Sequence, residues 1–277
     1  MEEPKPKVSV RIPTRNSAQH LESCIESVRA QRYANVEVIV IDNASSDATP
    51  AIARAKADLF LSQGRERSEQ LNAGASLATG KYLYRIDGDF ILDPDIIGEA
   101  VSLCETEGFD AIAVHNDSDP RVSFWAEVRN FERQMYKYDP TIVGARFFLK
   151  RAFDAVGGFD EELIAGEDYD IHNRLLNAGY KIGAALAGEV HLGEPVSLLE
   201  FARKSYFYGQ SMGAFVRKNG RRGLHQVSPV RGAFFRHWKD FVQHPLLALG
   251  FGVMQSVKYS FGAAGLLVAC VKRLHPG

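Results

Sequence analysis

The chain has 277 residues, 45% of them hydrophobic and 24% charged, with a formal net charge of −1 at pH 7. This composition allows one large α/β core with a smaller appended segment, and it excludes an intrinsically disordered chain. Three widely spaced cysteines and a polar N-terminal segment without a signal-peptide pattern predict a cytoplasmic protein with reduced thiols.

Short β-branched segments alternate with amphipathic helical patterns from the start of the chain. Strands are predicted at residues 8–12, 36–41, 59–61, 81–86, 111–114 and 144–149, and helices at 18–30, 47–56, 66–78, 95–107, 126–138 and 169–177. The alternation predicts a mostly parallel sheet with helices on both faces. Ligands bind at the carboxyl ends of the strands in such sheets, so the polar residues that follow the strands are the candidate site.

Two carboxylates follow the predicted strand at residues 81–86. Asp87 and Asp89 flank Gly88, which lets the backbone turn sharply between them. Mg²⁺ and Mn²⁺ are typically bound by one or two carboxylates together with phosphate oxygens, and such an ion offsets the charge that grows on a diphosphate leaving group. Taken alone, the triplet is equally compatible with a solvated turn.

Polar segments also follow the neighbouring strands, at residues 12–16 (Ile-Pro-Thr-Arg-Asn), 41–47 (Ile-Asp-Asn-Ala-Ser-Ser-Asp), 64–65 (Gly-Arg) and 72–74 (Asn-Ala-Gly). In order and spacing, these segments and the acidic triplet resemble the nucleotide-binding half of family 2 glycosyltransferases, which have the GT-A fold. The resemblance covers roughly residues 8–95. It implies a glycosyltransferase that uses a nucleotide-diphosphate sugar, with a UDP-sugar as the default expectation, and a divalent metal, Mg²⁺ or Mn²⁺.

The resemblance also implies roles for individual residues. Asp87 and Asp89 are expected to face the diphosphate and the metal, and Asp42 to reach the base or ribose. An unpaired charge after a buried strand is costly, so Asp42 should face the cleft or cap the helix that follows. Asn43 stands where relatives often carry a second acid. The expected contacts with the nucleotide sugar are Pro13, Thr14, Asn16, Asp42, Arg65, Asn72, Asp87 and Gly88.

A second acidic segment, Gly-Glu-Asp-Tyr-Asp at residues 166–170, follows Gly-Gly-Phe-Asp-Glu at residues 157–161. Acids at a helix N-terminus are favoured by the helix dipole, so capping is one interpretation of Glu167 and Asp168. The family resemblance implies a catalytic one. In an inverting transfer a carboxylate accepts the proton of the acceptor hydroxyl, and Asp168 matches the acid with that role, with Glu167 as the reserve candidate.

His191 follows another strand-like run. In several relatives a histidine near this point completes the metal site or contacts the diphosphate, and the alternative is an ordinary core or surface histidine. Arg203 and Lys204 are candidates for phosphate contacts or for a membrane-facing role. The Gln-Xaa-Xaa-Arg-Trp motif of processive synthases is absent from the sequence, so we expect a single transfer per encounter.

The last part of the chain is basic. Residues 203–277 carry 12 Lys and Arg and one acid, Asp240, and the cations at 203–239 are interleaved with aromatic residues. A solvated helical face, an anionic membrane surface and nucleic acid are the three interpretations. We favour the membrane surface and expect no nucleic-acid partner. We therefore predict a catalytic domain at 1–202 and a membrane-associated helical tail at 203–277.

Residues 245–271 are apolar except near their middle, at Gln255, Ser256, Lys258, Tyr259 and Ser260. A spanning helix needs about 20 apolar residues in succession, so this pattern predicts two short helices that lie in the membrane or form a hairpin. A packed core helix is the alternative. The expected location is the inner face of the cell membrane, as a peripheral or monotopic protein. The expected acceptor is a glycan or polyprenyl-linked lipid, in cell-envelope glycan biosynthesis.

Two other functional classes were compared with this prediction. A non-catalytic nucleotide-sugar-binding scaffold would keep the fold but would have little need for both acidic segments. A dinucleotide-dependent oxidoreductase would need a Gly-Xaa-Gly-Xaa-Xaa-Gly turn after the first strand, where this chain has Pro-Thr-Arg-Asn at residues 13–16.

Overall fold

The structure is a computed structural model that describes residues 4–137, 139 and 142–274, without the side chains of 273 and 274. The chain divides into two compact units. The first comprises the described residues of Met1–Asn116, Val143–Glu162 and Glu167–Gly193. The second comprises those of Asp117–Ile142, Leu163–Gly166 and Glu194–Gly277, so it takes in an internal segment as well as the basic tail.

The first unit is built on a mixed sheet. The strands of the described residues are β1 (Val8–Thr14), β2 (Val36–Asp42), β3 (Leu59–Ser62), β4 (Tyr82–Arg85), β5 (Phe90–Leu92), β6 (Ala111–Ala113), β7 (Asn116–Ser118), β8 (Ala145–Leu149), β9 (Ile182–Ala184) and β10 (Glu189–His191). Of these, β7 crosses the boundary between the two units. The main sheet has the order β3-β2-β1-β4-β8-β6-β9. Strand β8 runs antiparallel to β4 and β6, and the other pairs described are parallel. The predicted mostly parallel sheet is confirmed.

Helices form at the predicted places along the chain. Those of the first unit are α1 (Leu21–Arg29), α2 (Thr49–Lys56), α3 (Arg67–Leu77), α4 (Ile96–Glu107), α6 (Lys150–Ala155) and α7 (Glu167–Asn177), and α5 (Phe124–Gln134) belongs to the second unit. Helix α1 buries Leu21, Cys24, Ile25 and Val28, whose spacing of three to four residues gives one apolar face against the core. Helix α4 ends at Gly108, which adopts the left-handed conformation at φ 71°.

The predicted helix at 126–138 begins earlier and ends earlier, as α5. Its start is set by Ser123, whose side chain accepts a hydrogen bond from the backbone N–H of Ala126. The predicted end at Tyr138 lies outside the described residues.

The register of β1 explains how a central strand contains a proline. Strand β1 pairs with β4 over Val8–Arg11 only, whereas it pairs with β2 along its full length to Thr14. Pro13 therefore lies beyond the β4 ladder, where its missing N–H costs little. The same register places Arg11 directly beside Arg85, and Arg146 of β8 lies next to Arg85, with its Nε donating to the backbone oxygen of Arg85 at 3.5 Å.

The second unit is helical in its tail. Helices α8 (Leu198–Gln226), α9 (Gly232–Arg236), α10 (Trp238–Gln243) and α11 (Pro245–Leu274) follow one another, and α8 is kinked at Gly220. The prediction of two short helices at 245–271 is wrong, because α11 is continuous. The polar residues in its middle are not helix breakers, and two of them find partners: Lys258 pairs with Glu132, and the Tyr259 hydroxyl donates to the backbone oxygen of Ser228.

Candidate functional site

The acidic triplet lies against the loop that follows β1. A Cβ atom at Gly88 would come 3.2 Å from Thr14 Cγ2 and 3.4 Å from Ser17 Cβ, so the absence of a side chain at position 88 allows this approach. The triplet follows β4, which is the parallel neighbour of β1, and the two strands therefore end at the same edge. This is the edge at which ligands bind in open α/β sheets.

Asp89 is paired with His191. Strand β10 runs antiparallel to β5 with His191 opposite Phe90, the two rings stack at 4.6 Å, and His191 Nε2 lies 3.0 Å from Asp89 Oδ2. The backbone N–H of Leu192 donates to the backbone oxygen of Asp89 at 2.8 Å. The structure therefore brings together two of the three predicted metal ligands, from segments about 100 residues apart in the sequence.

Three arginines surround Asp87. Arg67 Nε lies 3.5 Å from Oδ1, and Arg85 Nη2 and Arg146 Nη2 lie 3.4 and 3.5 Å from Oδ2. Burial disfavours the charged carboxylate, but the nearby guanidinium groups of Arg67, Arg85 and Arg146 outweigh it and hold the pKa of Asp87 well below its usual range. The surroundings of Asp87 therefore favour its charged form.

The two acids that open α7 have different surroundings. Glu167 is buried, and its Oε1 lies 3.2 Å from Arg67 Nη1 and 3.3 Å from Arg85 Nη2. Burial raises the pKa of Glu167, while Arg85 and Arg67 oppose that rise. Asp168 is only partly buried, and an arginine from β8, Arg146, lies within electrostatic reach of it. Of the two, Asp168 has the more accessible carboxylate.

The row of arginines continues to Glu189. Arg146 Nε lies 3.3 Å from Glu189 Oε2, and the Tyr84 hydroxyl donates to Glu189 Oε1 at 2.6 Å. All three side chains are buried. Glu189 is the first residue of β10, so this group of contacts also fixes the strand that carries His191.

The loops after β1 and β2 hold each other through Asp42. Its Oδ1 accepts from the Thr14 hydroxyl at 3.1 Å and its Oδ2 from the backbone N–H of Ser45 at 2.8 Å. Asn16 and Ala44 have φ values of 51° and 46°, which are uncommon for residues other than glycine. Such conformations persist where the surroundings enforce them, often at ligand-binding loops.

Further side-chain contacts join the ends of β1 and β2 and reach Arg65, one of the predicted contacts. Gln70 Nε2 donates to the backbone oxygens of Thr14 and Ile41, at 3.0 and 2.6 Å, and so joins the ends of β1 and β2. The Asn43 amide donates to the backbone oxygen of Arg65 at 2.6 Å, and the Arg65 side chain is 90% exposed. These contacts bring Arg65 to the loop that follows β2.

Asn72, another predicted contact of the nucleotide sugar, pairs with the backbone of Phe159. Its Nδ2 donates to the backbone oxygen of Phe159 and its Oδ1 accepts from the backbone N–H of Phe159, both at 2.9 Å. Gly158, at φ 68°, leaves the necessary space, because a Cβ atom there would lie 2.7 Å from Asn72 Oδ1. The amide of Asn72 is thus occupied by protein groups and ties α3 to the segment at 157–161.

The donor atoms fit a divalent ion that shares its ligands with a diphosphate. Within the described residues, no group of three or more His, Cys, Asp and Glu side chains converges as a complete cage. Asp89 and His191 form a pair, and a Cβ atom at Gly193 would lie 2.0 Å from Asp89 Oδ2, so the carboxylate sits in a cradle that only glycine leaves open. Two protein ligands with phosphate oxygens suit Mg²⁺ or Mn²⁺.

The arginines that organise the site were not among the predicted site residues. Arg11, Arg85 and Arg146 each interrupt an otherwise apolar, buried strand. A charged side chain in such a strand needs a partner, which is a signal that the sequence does contain. Arg67 and Gly193 give no comparable local signal, since their importance comes from contacts across the fold.

Comparison with known proteins gives a family match. The model described as "Glycosyl transferase family 2" matches residues 9–158. The succinoglycan biosynthesis protein ExoA of Rhizobium meliloti is 29% identical over 79% of this chain and 73% of its own length. A chondroitin synthase of Pasteurella multocida is 27% identical over 63% of this chain, but the match covers 19% of that protein. The chain thus spans about a fifth of the length of that synthase.

Solved structures show the same fold. The mannosyltransferase PcManGT from Pyrobaculum calidifontis, in complex with GDP-Man and Mn²⁺, aligns with a TM-score of 0.65 at 19% identity, over 98% of this chain and 88% of its own. S. aureus TarS residues 1–349, in complex with UDP-GlcNAc, aligns with a TM-score of 0.55 at 18% identity, over 92% and 91% of the two chains. The predicted GT-A fold is confirmed.

Proposed function

Because the chain belongs to glycosyl transferase family 2 and is a glycosyltransferase, we propose that it moves a sugar from a nucleotide-diphosphate sugar to a hydroxyl group or phosphate of an acceptor, with inversion at the anomeric carbon. The observation that carries this proposal is the Asp89–His191 pair beside Asp87, at the edge where β1 and β4 end. The relatives that match, such as a succinoglycan biosynthesis protein, support polysaccharide biosynthesis as the setting.

Different residues of the site have different roles in the proposed reaction. The loops around Thr14, Asn16 and Asp42 receive the nucleotide. Mg²⁺ or Mn²⁺ held by Asp89 and His191 would supply positive charge to the diphosphate that leaves. Arg85 and Arg146 keep Asp87 charged and oriented beside it.

Asp168 is the proposed general base. Its carboxylate accepts the proton of the acceptor hydroxyl while that oxygen forms a bond to the anomeric carbon, and the bond from the anomeric carbon to the diphosphate oxygen breaks. The products are the glycosylated acceptor and the nucleoside diphosphate. Glu167 suits this role less well, because its carboxylate is buried between Arg67 and Arg85.

Donor binding tests the proposal directly. UDP-, GDP- and dTDP-sugars are titrated by calorimetry with and without Mn²⁺, on the wild type and on Asp89→Ala. We expect Mn²⁺-dependent binding of one nucleotide class, lost in Asp89→Ala and kept in Asp95→Ala, whose carboxylate pairs with Arg32 at the surface. Binding of no donor, or equal binding by Asp89→Ala, would contradict the proposal.

The second unit supports a location at a membrane. In the described part of the chain, one helical segment is long and apolar enough to cross a bilayer. It is Pro245–Lys272, within α11, and only 11% of its most apolar stretch is buried. A contact of α11 with a buried acid argues for a helix that lies on the membrane instead. The Lys258 ammonium, halfway along it, lies 3.4 Å from Glu132 Oε1, and Glu132 is 0% exposed.

Helix α8 packs closely along α11. A Cβ atom at Gly209 would lie 2.1 Å from the backbone oxygen of Gly262, and one at Gly265 would lie 2.1 Å from the backbone oxygen of Tyr206. Helix α8 carries exposed cations, among them Arg203. A helix held against such a charged partner would have to take those charges into hydrocarbon in order to span, which is unfavourable.

The exposed side chains of α11 and its neighbours fit an anionic bilayer surface. Leu246, Leu249 and Val253 are exposed on one side of α11, and Trp238 is exposed just before it, next to the exposed cations of Arg236 and Lys239. Apolar side chains beside cations are typical of helices that lie in the headgroup region. We therefore propose a monotopic or peripheral protein on the inner face of the cell membrane, with a glycan or polyprenyl-linked lipid as acceptor.

Vesicle binding tests this location. Cosedimentation is measured with phosphatidylcholine vesicles with and without phosphatidylglycerol. We expect binding only with the anionic lipid, weakened on the order of tenfold or more in the double variant Leu246→Ser, Leu249→Ser. The control is Leu224→Ser, an equally conservative change at an exposed leucine of α8. Absence of binding to anionic vesicles would exclude the proposed location while leaving the transfer chemistry untouched.

A further inference from the structure

Arg67 is the most exposed of the three arginines around Asp87. Its side chain is 41% exposed, whereas those of Arg85 and Arg146 are 2% and 6% exposed. It is the first residue of α3, so its long side chain reaches the acids from a helix end. A side chain that is partly in water can exchange partners by rotation about its own bonds, and a fully buried one cannot do so without repacking the core.

The acids that Arg67 bridges have other partners. If the Arg67 guanidinium left, Asp87 would keep Arg85 at 3.4 Å and Arg146 at 3.5 Å, and Glu167 would keep Arg85 at 3.3 Å. An acid left buried without any partner would be strongly destabilising. Because these pairs are redundant, Arg67 can move without that penalty.

The position of Arg67 conflicts with a second cation beside Asp87. Its Nε lies 3.5 Å from Asp87 Oδ1, an oxygen that accepts no hydrogen bond from the residues that the structure describes. A guanidinium there repels a divalent ion that approaches Asp87 and Asp89. A diphosphate has the opposite effect, because its oxygens attract a guanidinium through bidentate, charge-assisted hydrogen bonds.

We propose that Arg67 is a clamp released by the donor: without a donor its guanidinium bridges Asp87 and Glu167, and when the donor enters it moves to the diphosphate and leaves the two acids to Arg85 and Arg146. This inference rests on the proposed function and deepens it. Its consequence is that metal and donor bind cooperatively, since the donor removes the cation that competes with the metal.

The test uses binding alone. The affinity for Mn²⁺ is measured by electron paramagnetic resonance without any nucleotide, and the affinities for inorganic pyrophosphate, UDP and GDP are measured by calorimetry in the presence of Mn²⁺. In Arg67→Gln we expect Mn²⁺ alone to bind more tightly, on the order of fivefold, because a like charge is gone. We expect the diphosphates to bind more weakly, by roughly 10-fold to 100-fold, because charge-assisted hydrogen bonds are lost.

If Arg67 is a clamp, Arg67→Gln changes the affinities for Mn²⁺ and for the diphosphates in opposite directions. A purely structural role would weaken both affinities. Arg67→Lys, which keeps the charge without the bidentate geometry, should recover part of the diphosphate affinity and the weak binding of Mn²⁺ alone. The matched control is Arg29→Gln, since Arg29 is 40% exposed and pairs with Asp58 at 2.9 Å in the same unit. This control should leave both affinities unchanged.

Three results would overturn the clamp. In the first, Arg67→Gln binds the diphosphates as the wild type does. In the second, Arg67→Gln binds both Mn²⁺ and the diphosphates more weakly, which indicates disturbed packing. In the third, the wild type binds none of pyrophosphate, UDP and GDP with Mn²⁺, in which case the proposed function fails and the clamp fails with it.

Discussion

Gly193 lies so close to Asp89 that a Cβ atom at position 193 would stand 2.0 Å from Asp89 Oδ2. The backbone of Gly193 lies outside the left-handed region, so an alanine is conformationally allowed there and would act through this collision alone. The residue two positions earlier is His191, which pairs with the same oxygen at 3.0 Å. One short segment thus both contacts the carboxylate and limits its position.

Gly193→Ala should therefore displace the Asp89 carboxylate without unfolding the chain. We expect Mn²⁺-dependent donor binding to fall by at least about tenfold, because a ligand moved by an ångström no longer meets the geometry of the ion. Calorimetry with Mn²⁺ and the donor gives the measurement. The control is Gly98→Ala in α4, where the new Cβ would meet one atom at 4.0 Å and should leave binding unchanged. Equal donor affinity in Gly193→Ala and wild type would show that Asp89 is not a ligand.

Asp168→Asn should separate chemistry from binding. If Asp168 accepts the proton of the acceptor, kcat falls by about 10²-fold to 10⁴-fold while the donor binds as before. The rate is followed as transfer of labelled sugar into a membrane lipid extract. Normal turnover in Asp168→Asn would show that Asp168 is not the general base, whereas absence of transfer in the wild type as well would support the non-catalytic scaffold.

Glu167→Gln should act mainly on stability. Glu167 is a buried partner of both Arg67 and Arg85, so its neutral analogue leaves Arg85 with Asp87 as its remaining acid. We expect the free energy of unfolding in urea to fall by about 3 kcal/mol. An unchanged unfolding midpoint together with a large loss of kcat would exchange the roles assigned to Glu167 and Asp168.

The two neighbouring arginines Arg11 and Arg85 should respond oppositely to replacement by methionine. Arg11 is fully buried, and it donates to the backbone oxygen of Leu71 at 2.8 Å while its Nε and Nη2 lack hydrogen-bond partners within the described residues. Burial and then the charge of Arg85 lower the pKa of Arg11 to about 9. Arg11→Met should therefore raise the free energy of unfolding by about 1 kcal/mol.

Arg85→Met is the matched comparison, because Arg85 lies beside Arg11 in the strand register and pairs with Asp87 and Glu167. Its loss should lower the free energy of unfolding by about 3 kcal/mol. Thermal and urea unfolding of the two variants provide the measurement. A destabilised Arg11→Met would mean that the buried cation of Arg11 is better solvated than its protein contacts indicate.

The lowered pKa of Lys258 predicts that the free energy of unfolding depends on pH. Burial lowers the pKa of Lys258 from 10.5 to about 8, although the neighbouring Glu132 opposes that shift. Between these two values the unfolded chain binds more protons than the folded one, so the contribution of this residue to stability rises with pH from about 8 to 10.5, by up to about 3 kcal/mol. Urea unfolding across this range should show the rise in the wild type and in Lys272→Met, and a smaller rise in Lys258→Met. Identical pH profiles in all three would refute the assignment.

The local patterns of the sequence predicted the first half of the fold well. From β1 to α4, the main elements lie within a few residues of the predicted ones, because the central strands are short, continuously buried apolar runs and helices α1 and α4 place buried residues three to four positions apart. The failures lie where local pattern does not decide. The polar residues in the middle of α11 were interpreted as a break, but Lys258 and Tyr259 have partners elsewhere in the second unit.

The site was predictable in its acids and not in its cations. Asp87, Asp89 and Glu167 stand in recognisable segments, whereas Arg67 and Arg146 meet them only through the fold. The contact between the Asn72 side chain and the backbone of Phe159 was likewise not predicted, because the two residues are far apart in the sequence. Which partner a polar side chain selects depends on long-range geometry, and one sequence does not contain it.

The buried row of Arg11, Arg85 and Arg146 has a consequence for catalysis. These guanidinium groups are held by the sheet before any substrate arrives, so the arginines and the acids paired with Arg85 and Arg146 are already in place when the chain has folded. On the proposed function, water would have to reorient around the leaving diphosphate, whereas charged groups held by the sheet would not. The poorly solvated cation of Arg11 is expected to lower the stability of the fold. On the proposed function, the same arrangement means that few groups at the site have to move when the sugar is transferred.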